Sequence, residues 1–134
     1  MKKGYKQLLE EADAEVTAVE PTTAMALRQR DDVVLVDLRD PREREREGSI
    51  PGAFSCPRGM LEFWVDPDSP YAKPIFAQPK SFIFFCASGW RSALATKTVQ
   101  DMGMENVSHL AGGFNAWRAA GGAVEPIQSR TPKS

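Results

Sequence analysis

The sequence predicts a single α/β domain that is built on a mostly parallel β-sheet. Two nearly continuous apolar runs, at residues 33–38 and 81–86, have the length of strands that are buried on both faces. Segments with helical signals alternate with the predicted strands, as in βαβ units. The 134 residues, of which 42% are hydrophobic, suffice for one domain with its own core.

Local signals predict the other elements in turn. Short apolar or alternating runs predict strands at residues 15–19, 33–38, 54–56, 81–86 and 107–110. Helical spacing, or a proline or glycine at a terminus, predicts helices at residues 5–14, 21–29 and 41–47, from Pro57, at residues 91–102, and between Gly113 and Gly121. We expect an N-terminal helical extension at residues 1–14, the domain at residues 15–122, and a mobile tail at residues 123–134.

Charge and composition narrow the range of partners and locations. The formal net charge is -1, so no broad basic field exists for nucleic acid or an anionic membrane. Two lysines near the N-terminus are followed by Glu10, Glu11 and Asp13 rather than by the apolar stretch of a signal peptide. No segment approaches the ~20 apolar residues of a membrane span. We therefore expect a soluble, cytoplasmic protein.

Cysteine and histidine are sparse. Cys56, Cys86 and His109 are poorly spaced for zinc, so we expect no metal site. A Cys56–Cys86 disulfide is possible on count alone. Such sparse use is more typical of a reducing compartment with a reactive or buried thiol.

The most informative segment runs from Cys86 to Ser92, between a predicted strand and a predicted helix. Ligands of open α/β sheets bind at the carboxyl edge, where this segment begins. Backbone amides at a helix N-terminus can hold negative charge, Gly89 permits a tight turn, and Arg91 adds a positive charge. A lone strand-end cysteine is often only a buried thiol, but these signals agree and predict that Cys86 is a nucleophile.

The chain resembles the rhodanese family in three motifs that occur in the expected order. The first is the Cys-x-x-Gly-x-Arg-Ser loop at residues 86–92. The second combines Asp-Leu-Arg at residues 37–39 with Gly-Ser-Ile-Pro-Gly-Ala at residues 48–53. The third, His-Leu-Ala-Gly-Gly-Phe-Asn-Ala-Trp, occupies residues 109–117. Together the motifs extend over residues 33 to about 120, which is most of the chain.

The resemblance implies a five-stranded, mostly parallel sheet with helices on both faces. It implies that Cys86 takes a sulfane sulfur from thiosulfate or another persulfide, and passes it to a thiol, to cyanide or to an acceptor protein. Arg91 would bind the anionic donor or stabilise the persulfide, without any cofactor. The rest of the loop would hold the persulfide, mainly through backbone amides, and consists of Ala87, Ser88, Gly89, Trp90 and Ser92.

The sequence departs from the family pattern at two places. Ser49 stands where the family often has histidine. The charged segment between Arg39 and Gly48 is about one residue longer than the family pattern and lacks the usual apolar anchor. We interpret residues 42–47 as a solvated face with local charge pairs. These departures concern local packing rather than the sulfur chemistry.

Other polar residues have two interpretations each. Asp37 and Arg39 lie at the end of a predicted strand near the loop. We expect them to be a structural brace for the loop rather than to take part directly in the reaction. Arg58 follows the end of another predicted strand. A role in binding a charged substrate and a position away from the pocket are equally compatible with this placement. Cys56 could be a resolving thiol, although such a cysteine is more often part of the core. His109 matches a packing position, and we expect it to be structural.

Three other functions remain open at this point. Phosphatases and arsenate reductases on the same fold have five residues between the cysteine and the arginine, whereas four separate Cys86 from Arg91. The shorter loop suits one sulfur atom better than a tetrahedral oxyanion. A non-catalytic binding module is the second alternative, and a carrier dedicated to one acceptor protein is the third. Donor, acceptor, pathway and oligomeric state do not follow from the sequence.

Overall fold

Residues 1–128 are described by a computed structural model. This part of the chain contains helices and strands in the alternation that the sequence predicts. The strands are β1 (Ala18–Val19), β2 (Val33–Asp37), β3 (Phe54–Ser55), β4 (Ser81–Phe85) and β5 (Val107–Leu110). The helices are α1 (Tyr5–Glu15), α2 (Pro21–Leu27), α3 (Pro41–Glu47), α4 (Leu61–Val65), α5 (Trp90–Asp101) and α6 (Gly113–Ala119), with 3₁₀ turns at Arg58–Met60 and Pro74–Ala77.

The five strands form one sheet in the order β1-β5-β4-β2-β3, and every neighbouring pair is parallel. In the centre of the sheet, Val36 of β2 is paired with Phe84 of β4, which is in turn paired with His109 of β5. The prediction of a five-stranded parallel sheet is therefore confirmed.

Alternate residues of the central strands supply two separate hydrophobic cores. Val36 and Phe84 belong to one core with residues of α4 and α5. Leu35 and Ile83 belong to the other core with residues of α2 and α6. Because successive side chains of a strand point to opposite faces, the predicted continuous apolar runs are explained by helices that cover both faces.

The two ends of the chain contact the domain. Helix α1 packs against α5. After α6, the Trp117 Nε1–H donates to the Ala123 carbonyl at 2.8 Å, and Glu125 forms an antiparallel bridge with Ser49. The first residues of the predicted mobile tail are thus hydrogen-bonded to the domain, and residues 129–134 lie outside the described part of the chain.

The parallel topology brings the carboxyl ends of β2, β4 and β5 to one edge of the sheet. The loop that begins at Cys86 leaves β4 there, beside the ends of the other two strands. Across residues 1–128, no helix combines the length and the apolar character that a membrane crossing needs. Over the same residues, no cluster of three His, Cys, Asp or Glu residues is placed to hold a metal ion.

Candidate active site

The Cys86 thiol lies inside the turn that joins β4 to α5. The Gly89 N–H donates a hydrogen bond to Cys86 Sγ at 3.2 Å, and the Ser92 hydroxyl lies 3.6 Å from the same sulfur. Gly89 has φ +105, a conformation that L side chains rarely adopt, so the turn depends on glycine here. Gly89 also caps the 12-residue helix α5, whose N-terminal dipole favours negative charge on the sulfur.

A second helix N-terminus holds the backbone of the loop. The Phe114 N–H donates to the Cys86 carbonyl at 2.8 Å, and the Asn115 N–H donates to the Ala87 carbonyl at 3.0 Å. Gly113 makes this approach possible, since a Cβ there would lie 2.6 Å from both carbonyl oxygens. The resemblance identified the Gly112-Gly113 pair, but the sequence alone did not indicate that α6 fixes the loop.

Arg91 is held by a carboxylate from a distant helix. Its two terminal guanidinium nitrogens donate to the two oxygens of Glu43, each at 2.8 Å. This pairing lowers the pKa of the Glu43 carboxyl and raises the pKa of Arg91, since each charge stabilises the other. The side chain of Arg91 is 40% exposed, so the guanidinium is accessible from solvent.

The charged segment of α3 is more than a solvated face, which corrects our interpretation of residues 42–47. Besides Glu43, Arg44 pairs with Asp37 at 3.2 Å, and Glu47 pairs with Arg118 at 2.7 Å. These partners lie in other elements, so the charge pairs are mostly not local. The partly buried residues of α3, Glu43, Arg44 and Glu47, are spaced one and three apart. That spacing places them on one side of the helix and could have indicated that this side contacts the domain.

Asp37 and Arg39 form a buried brace beside the loop. Arg39 donates to both oxygens of Asp37, at 3.0 and 2.8 Å, and to the Gly48 carbonyl at 2.7 Å. The Ser49 hydroxyl donates to Asp37 at 2.8 Å. The Arg39 guanidinium also lies 4.2 Å from the centre of the Phe114 ring. These contacts are those of a structural brace.

Ser92 connects the Cys86 thiol with His109 on the neighbouring strand. The Ser92 Oγ lies 3.0 Å from His109 Nδ1, and both residues are buried. Burial lowers the pKa of His109, and the Asp13 carboxylate acts weakly in the opposite direction. The sequence predicted only a packing role for His109, because a strand position does not reveal which helix side chain will meet it.

Trp90 stands at the outer surface of the loop. The indole is 58% exposed, and its ring centre lies 5.4 Å from that of Tyr5 in α1. Trp90 also lines a cavity of about 380 Å³. It is lined by residues of α1, the loop and β5, among them Asp13, Ser88 and His109. Helix α1 therefore contributes to the surroundings of the loop.

Arg58 and Cys56 follow β3, and their backbone N–H groups donate to the carbonyls of Leu38 and Asp37 at the end of β2. Arg58 pairs with Glu62 of its own segment at 2.8 Å. Cys56 is fully buried in the core that contains Phe84, and burial raises the pKa of its thiol to about 12. Both cysteines are free, so the disulfide that the cysteine count allowed is not formed. The resolving role of Cys56 stays a prediction.

The fold and the loop together define a rhodanese-type α/β domain, with its cysteine at the carboxyl edge of a parallel sheet. The family model described as the Rhodanese-like domain matches residues 20–120. The chain therefore belongs to the rhodanese-like domain family.

Several relatives accompany the family match. The thiosulfate:glutathione sulfurtransferase of Saccharomyces cerevisiae is 36% identical over 67% of this chain and 68% of its own length. An uncharacterized protein of Synechocystis is 37% identical over 77% of this chain, which spans only 52% of that protein. A solved structure from Rhodopseudomonas palustris, described as a protein of unknown function and possible tyrosine phosphatase, is 57% identical with a TM-score of 0.91. That match covers 93% of this chain and 96% of the other.

Proposed function

We propose that this chain is a sulfurtransferase that carries a sulfane sulfur as a persulfide on Cys86. The observation that carries the proposal is the Gly89 N–H, 3.2 Å from Cys86 Sγ, in a loop at the N-terminus of α5. Backbone amides in such a turn stabilise a sulfur anion without any metal or organic cofactor.

The proposed reaction has two half-reactions. In the first, the Cys86 thiolate attacks the outer sulfur of thiosulfate, the S–S bond of the donor breaks, and sulfite leaves with the bonding electrons. In the second, a thiolate or cyanide attacks the outer sulfur of the Cys86 persulfide, and Cys86 leaves as a thiolate. The cysteine returns to its starting state, so no external oxidant or reductant is consumed.

Arg91 is proposed to orient the dianionic donor at the loop mouth. Its guanidinium is already fixed by Glu43, which leaves little side-chain freedom to lose when a donor binds. A thiol acceptor agrees with the name of the Saccharomyces cerevisiae relative, and a protein thiol remains a candidate acceptor. We also propose a cytoplasmic location, where both free cysteines would remain reduced.

A phosphatase is the second candidate, because the description of the Rhodopseudomonas palustris structure raises it. The length of the loop argues against it here. Only four residues lie between Cys86 and Arg91, whereas phosphatases on the same fold have five at this place. A non-catalytic binding module is disfavoured because the chain keeps the cysteine, the glycine of the turn and the arginine.

The deciding experiment is the intact mass after brief incubation with thiosulfate. We expect a gain of one sulfur atom in the wild type and in Cys56→Ala, no gain in Cys86→Ser, and reversal by cyanide. No gain on a wild-type thiol that is shown to be reduced would contradict the proposal. Hydrolysis of p-nitrophenyl phosphate that disappears in Cys86→Ser would favour the phosphatase instead.

A further inference from the structure

A hydrogen-bonded chain of three buried side chains extends from the loop into the sheet. Cys86 Sγ lies 3.6 Å from Ser92 Oγ, which lies 3.0 Å from His109 Nδ1. Their exposed fractions are 1%, 0% and 5%. Bulk water therefore has little access to the Cys86 thiol, although the thiol must lose its proton before it can attack a donor.

The hydroxyl of Ser92 can serve both protonation states of the cysteine. With a proton on Nε2, the neutral imidazole accepts from Ser92 through Nδ1, and the Ser92 oxygen accepts from the Cys86 S–H. With a proton on Nδ1, the imidazole donates to the Ser92 oxygen, and the Ser92 O–H turns to the sulfur anion. The two arrangements use the same heavy-atom positions.

We infer that Ser92 and His109 form a proton relay that removes the proton of Cys86 during persulfide formation. The inference rests on the proposed function. The S–H proton passes to Ser92 Oγ while the proton of Ser92 passes to His109 Nδ1, which leaves a thiolate and an imidazolium. Loss of the Nε2 proton then leaves the Nδ1–H tautomer, in which Ser92 donates to the sulfur anion.

The cavity that α1 lines offers a path by which the Nε2 proton can leave His109. His109 lines the cavity, whose volume is about 380 Å³, together with Ser88 of the loop and Asp13 of α1. Asp13 is the charged group that faces His109 from the packed elements in residues 1–128. Its strand neighbours contribute Ala18 and Phe84, which do not titrate. Asp13 is therefore placed to receive or pass on the proton that leaves the imidazole.

The charge state of His109 agrees with this role. Burial keeps its pKa below the ordinary value, so the imidazole is neutral at neutral pH and can accept a proton. A purely structural histidine at this position would hold Ser92 in place, but its titration would not change the reactivity of Cys86. The pH dependence of that reactivity therefore separates the two roles.

The test measures the rate of Cys86 alkylation by iodoacetamide across pH, by mass spectrometry and in a Cys56→Ala background. We expect His109→Asn to slow alkylation at neutral pH about tenfold, the factor for losing one hydrogen bond to a charged group. The inflection from His109 should disappear from the profile. Because alkylation needs no sulfur donor, the result is independent of whether the chain transfers sulfur.

Further variants test whether the two residues act in series. Ser92→Ala should slow alkylation as His109→Asn does, and the double variant should be no slower than Ser92→Ala alone. Ser92→Thr, which keeps the hydroxyl, should restore the wild-type profile if Ser92→Ala folds poorly. Ser108→Ala alters the other face of β5 and should leave the profile unchanged. A wild-type pH profile in His109→Asn, or effects that multiply in the double variant, would overturn the relay.

Discussion

The contact between α6 and the active-site loop can be tested with one added methyl group. Gly113→Ala would place a Cβ 2.6 Å from the carbonyl oxygens of Cys86 and Ala87, at a residue with φ +65. Gly121→Ala is the matched control, because Gly121 has φ +83 at the other end of the same helix and no atom within 4 Å of its Cβ position. The two variants share the backbone strain and differ in the clash.

The expected magnitudes follow from these contacts. A left-handed non-glycine residue costs about 1–2 kcal/mol, which both variants should lose. Gly113→Ala should also weaken the hydrogen bonds from Phe114 and Asn115 to the loop, each of which contributes about 1 kcal/mol. We therefore expect it to be about 2 kcal/mol less stable than Gly121→Ala in urea denaturation.

Sulfur loading should separate the two variants further. A loop that is displaced by a fraction of an ångström no longer holds the Gly89 N–H against Cys86 Sγ, and misplacement on the order of 1 Å can cost about a hundredfold in rate. We expect Gly121→Ala to load sulfur from thiosulfate at the wild-type rate and Gly113→Ala to load it at least about tenfold more slowly. Equal stability and equal loading in the two variants would refute the role of α6.

Three further predictions concern the charges and the second thiol. Glu43→Gln keeps the helix cap but removes the ion pair to Arg91, so it should cost about 1 kcal/mol at pH 7. Because the pairing lowers the pKa of Glu43, this difference should shrink as the pH falls below 4.5 in urea denaturation. Arg39→Leu leaves Asp37 without its main partner in the core and should cost about 3 kcal/mol or more, measured by thermal and urea unfolding. Cys56, whose pKa is raised to about 12, should stay unmodified by iodoacetamide at neutral pH, so that peptide mapping finds one adduct, on the loop cysteine.

The sequence was sufficient for the parts of the fold that depend on local patterns. The runs at residues 33–38 and 81–86 became β2 and β4, because a strand covered on both faces needs apolar residues at every position. Pro41 was predicted to begin α3, and the preceding Asp40 caps it with a carboxylate that accepts from the Glu43 amide at 2.9 Å. The turn at Gly89 followed from the motif, since glycine tolerates the backbone conformation that the motif requires.

The parts that the sequence did not reveal depend on residues far apart in the chain. The Glu43 and Arg91 pair joins residues that are 48 positions apart, and nothing in the local charge pattern of α3 selects that partner. The link from Ser92 to His109 joins a helix to a strand across the sheet face. Such pairs become visible only when the register between elements is known, because each residue is unremarkable within its own element.

Helix α1 lines one side of the cavity beside the loop and lies outside the residues that the family model matches. The match begins at residue 20, whereas α1 packs on α5 and supplies Leu9 and Asp13 to the cavity beside the loop. The loop that is proposed to hold the sulfur and the helix that lines the adjacent cavity therefore lie in separate stretches of the chain. Exchanging residues 1–15 would therefore change the cavity lining, including Asp13, while the sequence of the Cys86 loop stays the same.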